Sequence, residues 1–306
     1  MMDYSNFDRV FGSVDSFPYH RNFIQEAEVN RRSFDGALFI DRVLGALGLS
    51  KVVKNYPPKS EAILRQIHES IASPATIATH HKLSVLFYFL LDIDEQSPAN
   101  FSRADRFASR AGVPPKYQVF MRGLWCLDRQ AFTAALEFLA HPSLLPEFAD
   151  DIITVLVRCA SKGGDYTLPL AYYHTVQPVL KSPTSIQLLF DAMAHSNVTE
   201  ALQFSRARPQ EMQQQLFHRL VMSVLGDARD EESAERAYQL ASLPLYKNEE
   251  GWLKEALTSG HAKRFKGARD TLLMRRIAVG ESGVIGDKGA WVVLMEGFKV
   301  GSGGRT

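Results

Sequence analysis

Residues 118–151, QVFMRGLWCLDRQAFTAALEFLAHPSLLPEFADD, carry apolar side chains at helical spacing, interrupted at Asp128 and at His141-Pro142. The stretch reads as two antiparallel helices followed by the start of a third, all amphipathic, with no catalytic residue set inside it. A helix pair of this kind cannot bury its apolar stripe alone and needs neighbours. The downstream sequence supplies them as further helices of similar length. The pattern restricts the chain to a stack of helices, an architecture that serves binding more often than turnover.

The 306 residues are 45% apolar and 10% aromatic, ample for a packed core and incompatible with disorder over the whole length. Lys+Arg 35 against Asp+Glu 34 gives a formal charge of +1, so no global field draws the chain to nucleic acid or anionic lipid. Locally the balance is uneven. Residues 261–306 hold nine Lys/Arg against four acids, a tail of about +5 that leaves about −4 on the rest. Cys126 and Cys159 both sit in apolar helical patterns and read as small buried hydrophobes of a reducing compartment. The start, MMDYSNFDRVFG, is polar and acidic where a secretory signal needs a basic start and an apolar run. The longest apolar run, VLFYFLL at 85–91, falls far short of the ~20 residues of a membrane span. The expectation is a soluble intracellular protein in which the glycosylation patterns at Asn100 and Asn197 carry no meaning.

Helices are expected at 34–49 with Ser33 as N-cap, at 60–70, at 76–91 and at 99–111, separated by Pro57-Pro58, Pro74 and Ser97-Pro98. The third is apolar on most sides, which marks a central helix covered by several neighbours. Further helices are expected at 116–126, 129–140, 147–160, 166–180, 185–195, 198–206, 210–225, 231–241 and 245–259. Asp128, Asp165, Asn197 and Asp230 stand where N-caps are needed. Loops of two to seven residues favour antiparallel neighbours, and the repeat period is loose. The fold class is all-α: an irregular α-solenoid of antiparallel helix pairs with a short non-helical C-terminal tail. The expected organisation is an N-terminal extension at 1–32, the helical domain at 33–270 and the tail at 271–306. Within the tail, 271–277 extends a helix, AWVVLM at 290–295 reads as a strand or extended anchor, and 301–306 reads as disordered. Two readings of the tail stay open: a partner-binding segment, or a cap folded back on the last helix. Loss of everything after Gly267 is expected to weaken partner binding and leave helicity nearly intact.

No constellation for chemistry emerges. His80-His81 are adjacent, which on a helix turns them about 100° apart and away from a shared metal. The acidic pairs Asp92/Asp94 and Asp150-Asp151 read as cap and solvent residues. The glycine-rich run at 280–289 lacks the Gly-Lys-Ser/Thr end of a phosphate loop, and Asp287 follows Gly286 where it repels a phosphate. Neither metal nor cofactor is expected, and the chain reads as not an enzyme. The basic run Lys263-Arg264-Phe265-Lys266 with Arg269 has two readings, a nuclear-import or nucleic-acid contact and a solvated face complementing a helix C-terminus.

The block 132–160 from Phe132-Thr-Ala-Ala-Leu onward resembles the helical domain of the ELYS family, scaffold proteins of the nuclear pore's Y-shaped outer-ring complex. The likeness continues through Leu170-Ala-Tyr-Tyr-His, Val176-Gln-Pro-Val-Leu, Val198-Thr-Glu-Ala-Leu-Gln-Phe-Ser-Arg, Leu216-Phe-His-Arg-Leu and Asp270-Thr-Leu-Leu-Met-Arg-Arg, spanning roughly residues 30–277. Animal members add an N-terminal β-propeller and a C-terminal chromatin-binding region. Neither is read here, so the chain is similar to the short form found in fungi and the chromatin-tethering role is not carried over. The resemblance implies a nuclear pore component at the nuclear envelope, non-catalytic, supporting pore assembly and nucleocytoplasmic transport. Its implied partners are the long-arm propeller–solenoid nucleoporin and the small β-propeller subunit of the Y-complex. Arg275, Arg276, Trp291 and Phe298 are the expected contact residues, the aromatics as apolar anchors and the arginines as charge-assisted donors. The alternative is a helical-repeat adaptor of another intracellular complex, of proteasome-lid or trafficking type. An all-α enzyme assembled from separate helices and an RNA-binding helical array are further rivals.

Overall fold

A computed structural model describes residues 2–12, 17–96, 102–226 and 231–280, and they are helical with no strand among them. The chain divides into two compact units, Met1–Leu180 and Lys181–Thr306. The first unit opens with α1 (Phe7–Phe11), α2 (Arg21–Ser33), α3 (Phe39–Ala46), α4 (Ser50–Asn55) and α5 (Glu61–Ala72). It continues with α6 (Thr79–Gln96), α7 (Arg103–Ala111), α8 (Pro115–Asp128), α9 (Phe132–Leu139), α10 (Ala149–Ala160) and α11 (Thr167–Val176). The second unit holds α12 (Pro183–Ser196), α13 (Val198–Arg206), α14 (Gln210–Gly226), α15 (Glu231–Ser242), α16 (Lys247–Thr258), a 3₁₀ turn (His261–Arg264) and α17 (Gly267–Ala278).

In the first unit α6 is the axis. Every residue from Lys82 to Ile93 is buried, and the helix packs on α5, α7 and α8. An α-helix apolar on all sides must be enclosed, and VLFYFLL supplies side chains worth about 1.5–3 kcal/mol each when buried. The second centre is α8, which meets α2, α3, α6 and most closely α9. That closeness has a sequence cause at Gly123. A Cβ there would lie 2.6 Å from Leu139 Cγ and 2.7 Å from its Cδ2, with Leu139 itself 5% exposed. Gly123→Ala gains up to ~1 kcal/mol of helix propensity. It also forces Leu139 off its rotamer in a packed seam, at about 1–3 kcal/mol. The expected result is a Tm lowered by a few degrees in thermal unfolding followed by circular dichroism. A variant melting at or above the parent would show that α8 and α9 can part without loss.

In the second unit α14 is central, touching α12, α13, α15, α16 and the 3₁₀ turn, while α17 lies along α15 and α16. Each unit fixes one helix start with the same device. Asp41, third residue of α3, accepts from the Leu38 N–H at 2.9 Å, and Arg31 clamps its carboxylate at 2.8 and 3.1 Å. Glu249, third residue of α16, accepts from the Tyr246 N–H at 2.7 Å, and Arg206 clamps it at 2.9 and 2.7 Å. Burial alone raises the Glu249 carboxyl, but Arg206 and the Tyr246 N–H outweigh it and hold the group below its usual range.

Several expectations change. The extension read at 1–32 holds α1 and all but the last residue of α2, which bury Phe11 and Phe23. Ser33 is no N-cap: it closes α2, and α3 begins only at Phe39 after Asp35 and Gly36 pass through positive φ. The boundary read at 270/271 falls inside α17, whose Ala268, Thr271 and Arg275 are buried. Cutting after Gly267 therefore removes a core helix of the second unit. The strand read at 290–295 and the disorder read at 301–306 lie outside the described residues.

Candidate functional site

The pair Asp92 and Asp128 most resembles a place for chemistry, and the sequence reading missed it. A carboxylate in a helix enclosed on all sides must find donors, and Asp92 finds three. Tyr19 and Tyr56 each donate a hydroxyl to its Oδ2 at 3.0 Å, and Trp125 Nε1 donates to Oδ1 at 2.9 Å. Asp128 ends α8 with its carboxylate aimed at the start of α3. It accepts from the N–H of Phe39 at 2.6 Å and of Ile40 at 2.9 Å, and from the Tyr88 hydroxyl at 2.7 Å. The Tyr56 and Tyr88 rings meet edge to face at 6.2 Å between the two acids. Burial pushes the Asp92 carboxyl up to about 8 and Asp128 up to about 7, against the pull of these donors.

This arrangement holds structure. Asp92 is 0% exposed and Asp128 3%, and each oxygen is occupied by donors of the same unit, so no substrate atom can reach either. The sequence reads Asp92 as a cap or solvent residue and Asp128 as the N-cap of the following helix. Instead both sit in the core, because the apolar run that makes α6 central carries Asp92 inward and the close α3–α8 contact places Asp128 at a helix N-terminus. Asp94 does act as a cap, accepting from the N–H of Arg103 and Ala104 at the start of α7. Asp151 pairs with Arg42 at 3.2 Å.

The histidine pair also departs from expectation. His80 and His81 have ring centroids 4.2 Å apart, and His80 stacks on Tyr117 at 5.1 Å, so the rings converge on one aromatic instead of diverging. Among the described residues no group of three or more His, Cys, Asp or Glu can hold a metal ion. Both cysteines are free, Cys126 buried and Cys159 half-buried, with thiols raised by burial and hence poorly nucleophilic. Among the described residues no helix is long and apolar enough to cross a membrane.

The expected contact arginines lie at the end of the second unit. α16 and α17 bound a cavity of about 350 Å³ lined by Glu250, Leu253, Lys254, Leu272, Arg276 and Val279, with Arg275 at its wall. Arg275 is engaged within the fold. It forms an ion pair with Glu250 through both Nε and Nη2, and its Nη1 donates to the carbonyls of Ala241 at 2.9 Å and Leu243 at 2.6 Å. It ties α17 to the end of α15 and to α16. Arg276 is half-buried and Lys254 exposed, while Val279 is 46% exposed, so the rim is cationic with an apolar lip. Trp291 and Phe298 lie outside the described residues.

Residues 37–260 match the model of a family described as ELYS, nuclear pore complex assembly. The chain is 28% identical over 161 residues to a fission-yeast protein, "Uncharacterized protein ely5" of Schizosaccharomyces pombe, the match covering 51% of each chain. The chain thus spans about half the length of that curated relative. With the family match running from just before α3 to just past α16, across both compact units, the chain belongs to the ELYS family of nuclear pore complex assembly.

Proposed function

We propose that the chain is a non-catalytic structural component of the nuclear pore complex that docks onto nucleoporins of the Y-shaped outer-ring complex. Docking uses the α16–α17 end of the second unit together with residues 281–306. The observation that carries this reading is the cavity at that end, whose rim offers the Arg276 and Lys254 cations beside exposed Val279. The chain leaves the rim at Gly280 and supplies Trp291 and Phe298 within the next 18 residues, the aromatic anchors that an interface centre favours. The partners are the long-arm propeller–solenoid nucleoporin and the small β-propeller subunit, and association supports pore assembly and nucleocytoplasmic transport at the nuclear envelope. Turnover has no part in it, since the two buried carboxylates are closed off by their own donors.

The test is affinity purification of the tagged chain from its own cells with mass spectrometry of what accompanies it. The comparison chain ends at Gly280, which keeps α17 with its buried Ala268, Thr271 and Arg275. Outer-ring nucleoporins recovered in stoichiometric amount with the full chain, and lost with the shortened one or with Arg276→Glu, are the expected result. Recovery of a different stoichiometric complex would assign the chain to another assembly. Full retention by the shortened chain would move the contact off this end.

A further inference from the structure

The first unit carries a second surface of distinct chemistry. Between α1 and α7 lies a cavity of about 310 Å³ whose rim holds four arginines, Arg9 from α1 and Arg103, Arg106 and Arg110 from α7, with no acid among its described lining residues. Residues 103, 106 and 110 follow i, i+3, i+7 spacing, so they share one face of α7 and span about 10 Å along its axis. Among the described residues the guanidinium groups of Arg9 and Arg110 form no hydrogen bond or ion pair. Arg103 donates only weakly, at 3.4 Å, to the carbonyl of Phe11.

The acids on the same two helices are turned to other cations. Asp8 of α1 pairs with Arg65 of α5 at 3.2 Å, and Asp105 of α7 pairs with Arg122 of α8. Asp3, whose carboxylate accepts from Ser5, is the acid that feels Arg9. Arg106 is engaged within the fold, but a rim that keeps Arg9 and Arg110 free of ion pairs among the described residues while sending Asp8 and Asp105 elsewhere leaves a positive groove suited to an anionic partner.

We propose that this groove binds an extended acidic segment of a partner protein, with carboxylates seated on the arginine rim. An extended peptide sends alternate side chains to one side about 7 Å apart, so acids at alternate positions span the arginines of α7. Carboxylates also suit the guanidinium fork, which takes them two hydrogen bonds at a time. A nucleic acid is less well served. The aromatics beneath the rim, Phe11 and Phe107, are 2% and 3% exposed and offer no ring face for a base to stack on. The surface belongs to the first unit and stands independently of the docking end proposed for the second.

The probe is a short fluorescein-labelled peptide alternating glutamate with serine, titrated with the full-length protein in fluorescence anisotropy at low and at physiological salt. Binding that weakens with salt and falls about tenfold or more in Arg9→Glu/Arg110→Glu is the expected result. The pair Lys51→Glu/Lys59→Glu makes the same change in net charge on exposed residues elsewhere and is expected to retain most of the affinity. Neither Arg9 nor Arg110 supports the fold through its side chain, so the thermal midpoint of the first double variant stays at the parent value. Equal loss in both double variants would reduce the effect to net charge and overturn the proposal. So would no binding by the parent at low salt, or tighter binding of a short oligothymidylate than of the peptide.

Discussion

Asp128→Ala is expected to lower the thermal midpoint of the chain by roughly 10 °C, because it strips the acceptor from three donors at once. The Phe39 and Ile40 amides and the Tyr88 hydroxyl lose their partner in a place only 3% exposed, where water cannot replace it. Each buried donor left unmatched costs about 1–3 kcal/mol. Removing a carboxylate whose burial pushes it up to about 7 returns part of that cost, leaving a net loss of about 3–5 kcal/mol. The alternative role, an N-cap for α9, carries a loss of only about 1 kcal/mol. Thermal unfolding by circular dichroism separates the two. Asp128→Asn keeps an acceptor for one amide and removes the charge, so it is expected to fall between parent and alanine. An alanine variant melting within a degree or two of the parent would return Asp128 to the periphery.

That contrast shows how far the chain could be read before its structure was known. Local signals were accurate. Val198–Arg206 was legible to the residue, because Asn197 caps it by accepting from the Glu200 N–H and Pro209 follows. Ser60 caps α5 through the Ile63 N–H, and Gly112 ends α7 in the left-handed conformation. What stayed hidden depends on contacts distant in sequence. α2 buries Phe23, Ala27 and Asn30 at helical spacing, but the third member is polar and earns its place by donating to the Asp128 carbonyl, 98 residues away. Asp128 itself looks like a local cap and serves a helix 88 residues upstream. Arg275 had the composition of a contact residue, and only the carbonyls of Ala241 and Leu243 reveal its internal use. α4, six residues long, buries only Val52 and has no periodicity to detect.

The same buried acids make stability depend on pH in a direction opposite to that of most surface carboxylates. Burial raises Asp92 to about 8 in the folded chain from an ordinary value of 3.8, outweighing the hydrogen bonds of Trp125, Tyr19 and Tyr56. Between those values the folded state holds a proton that the unfolded state has released. Unfolding then sheds protons, so this contribution is fully present below about pH 4 and is lost as pH rises through about 8. Asp128 adds a parallel term that fades through about 7. His68, lowered chiefly by burial although its Nε2–H donates to the Tyr4 carbonyl, works the other way below its ordinary value of 6.5. A difference measurement removes that opposing term. Asp92→Asn keeps the side-chain shape and an acceptor while abolishing the titration. Its midpoint minus that of the parent is therefore expected to climb by several degrees between pH 5 and 8.5, steadily from pH 5 and levelling off above about 8, a window set by the raised carboxyl. A difference curve flat across that range would mean that Asp92 stays ionised in the core, held by its three donors, and that the hydrogen bonds win over burial. A climbing curve would identify the Tyr19–Tyr56–Trp125 cluster around Asp92 as a neutral, proton-holding hub, with the first unit more firmly folded in mild acid than in mild base.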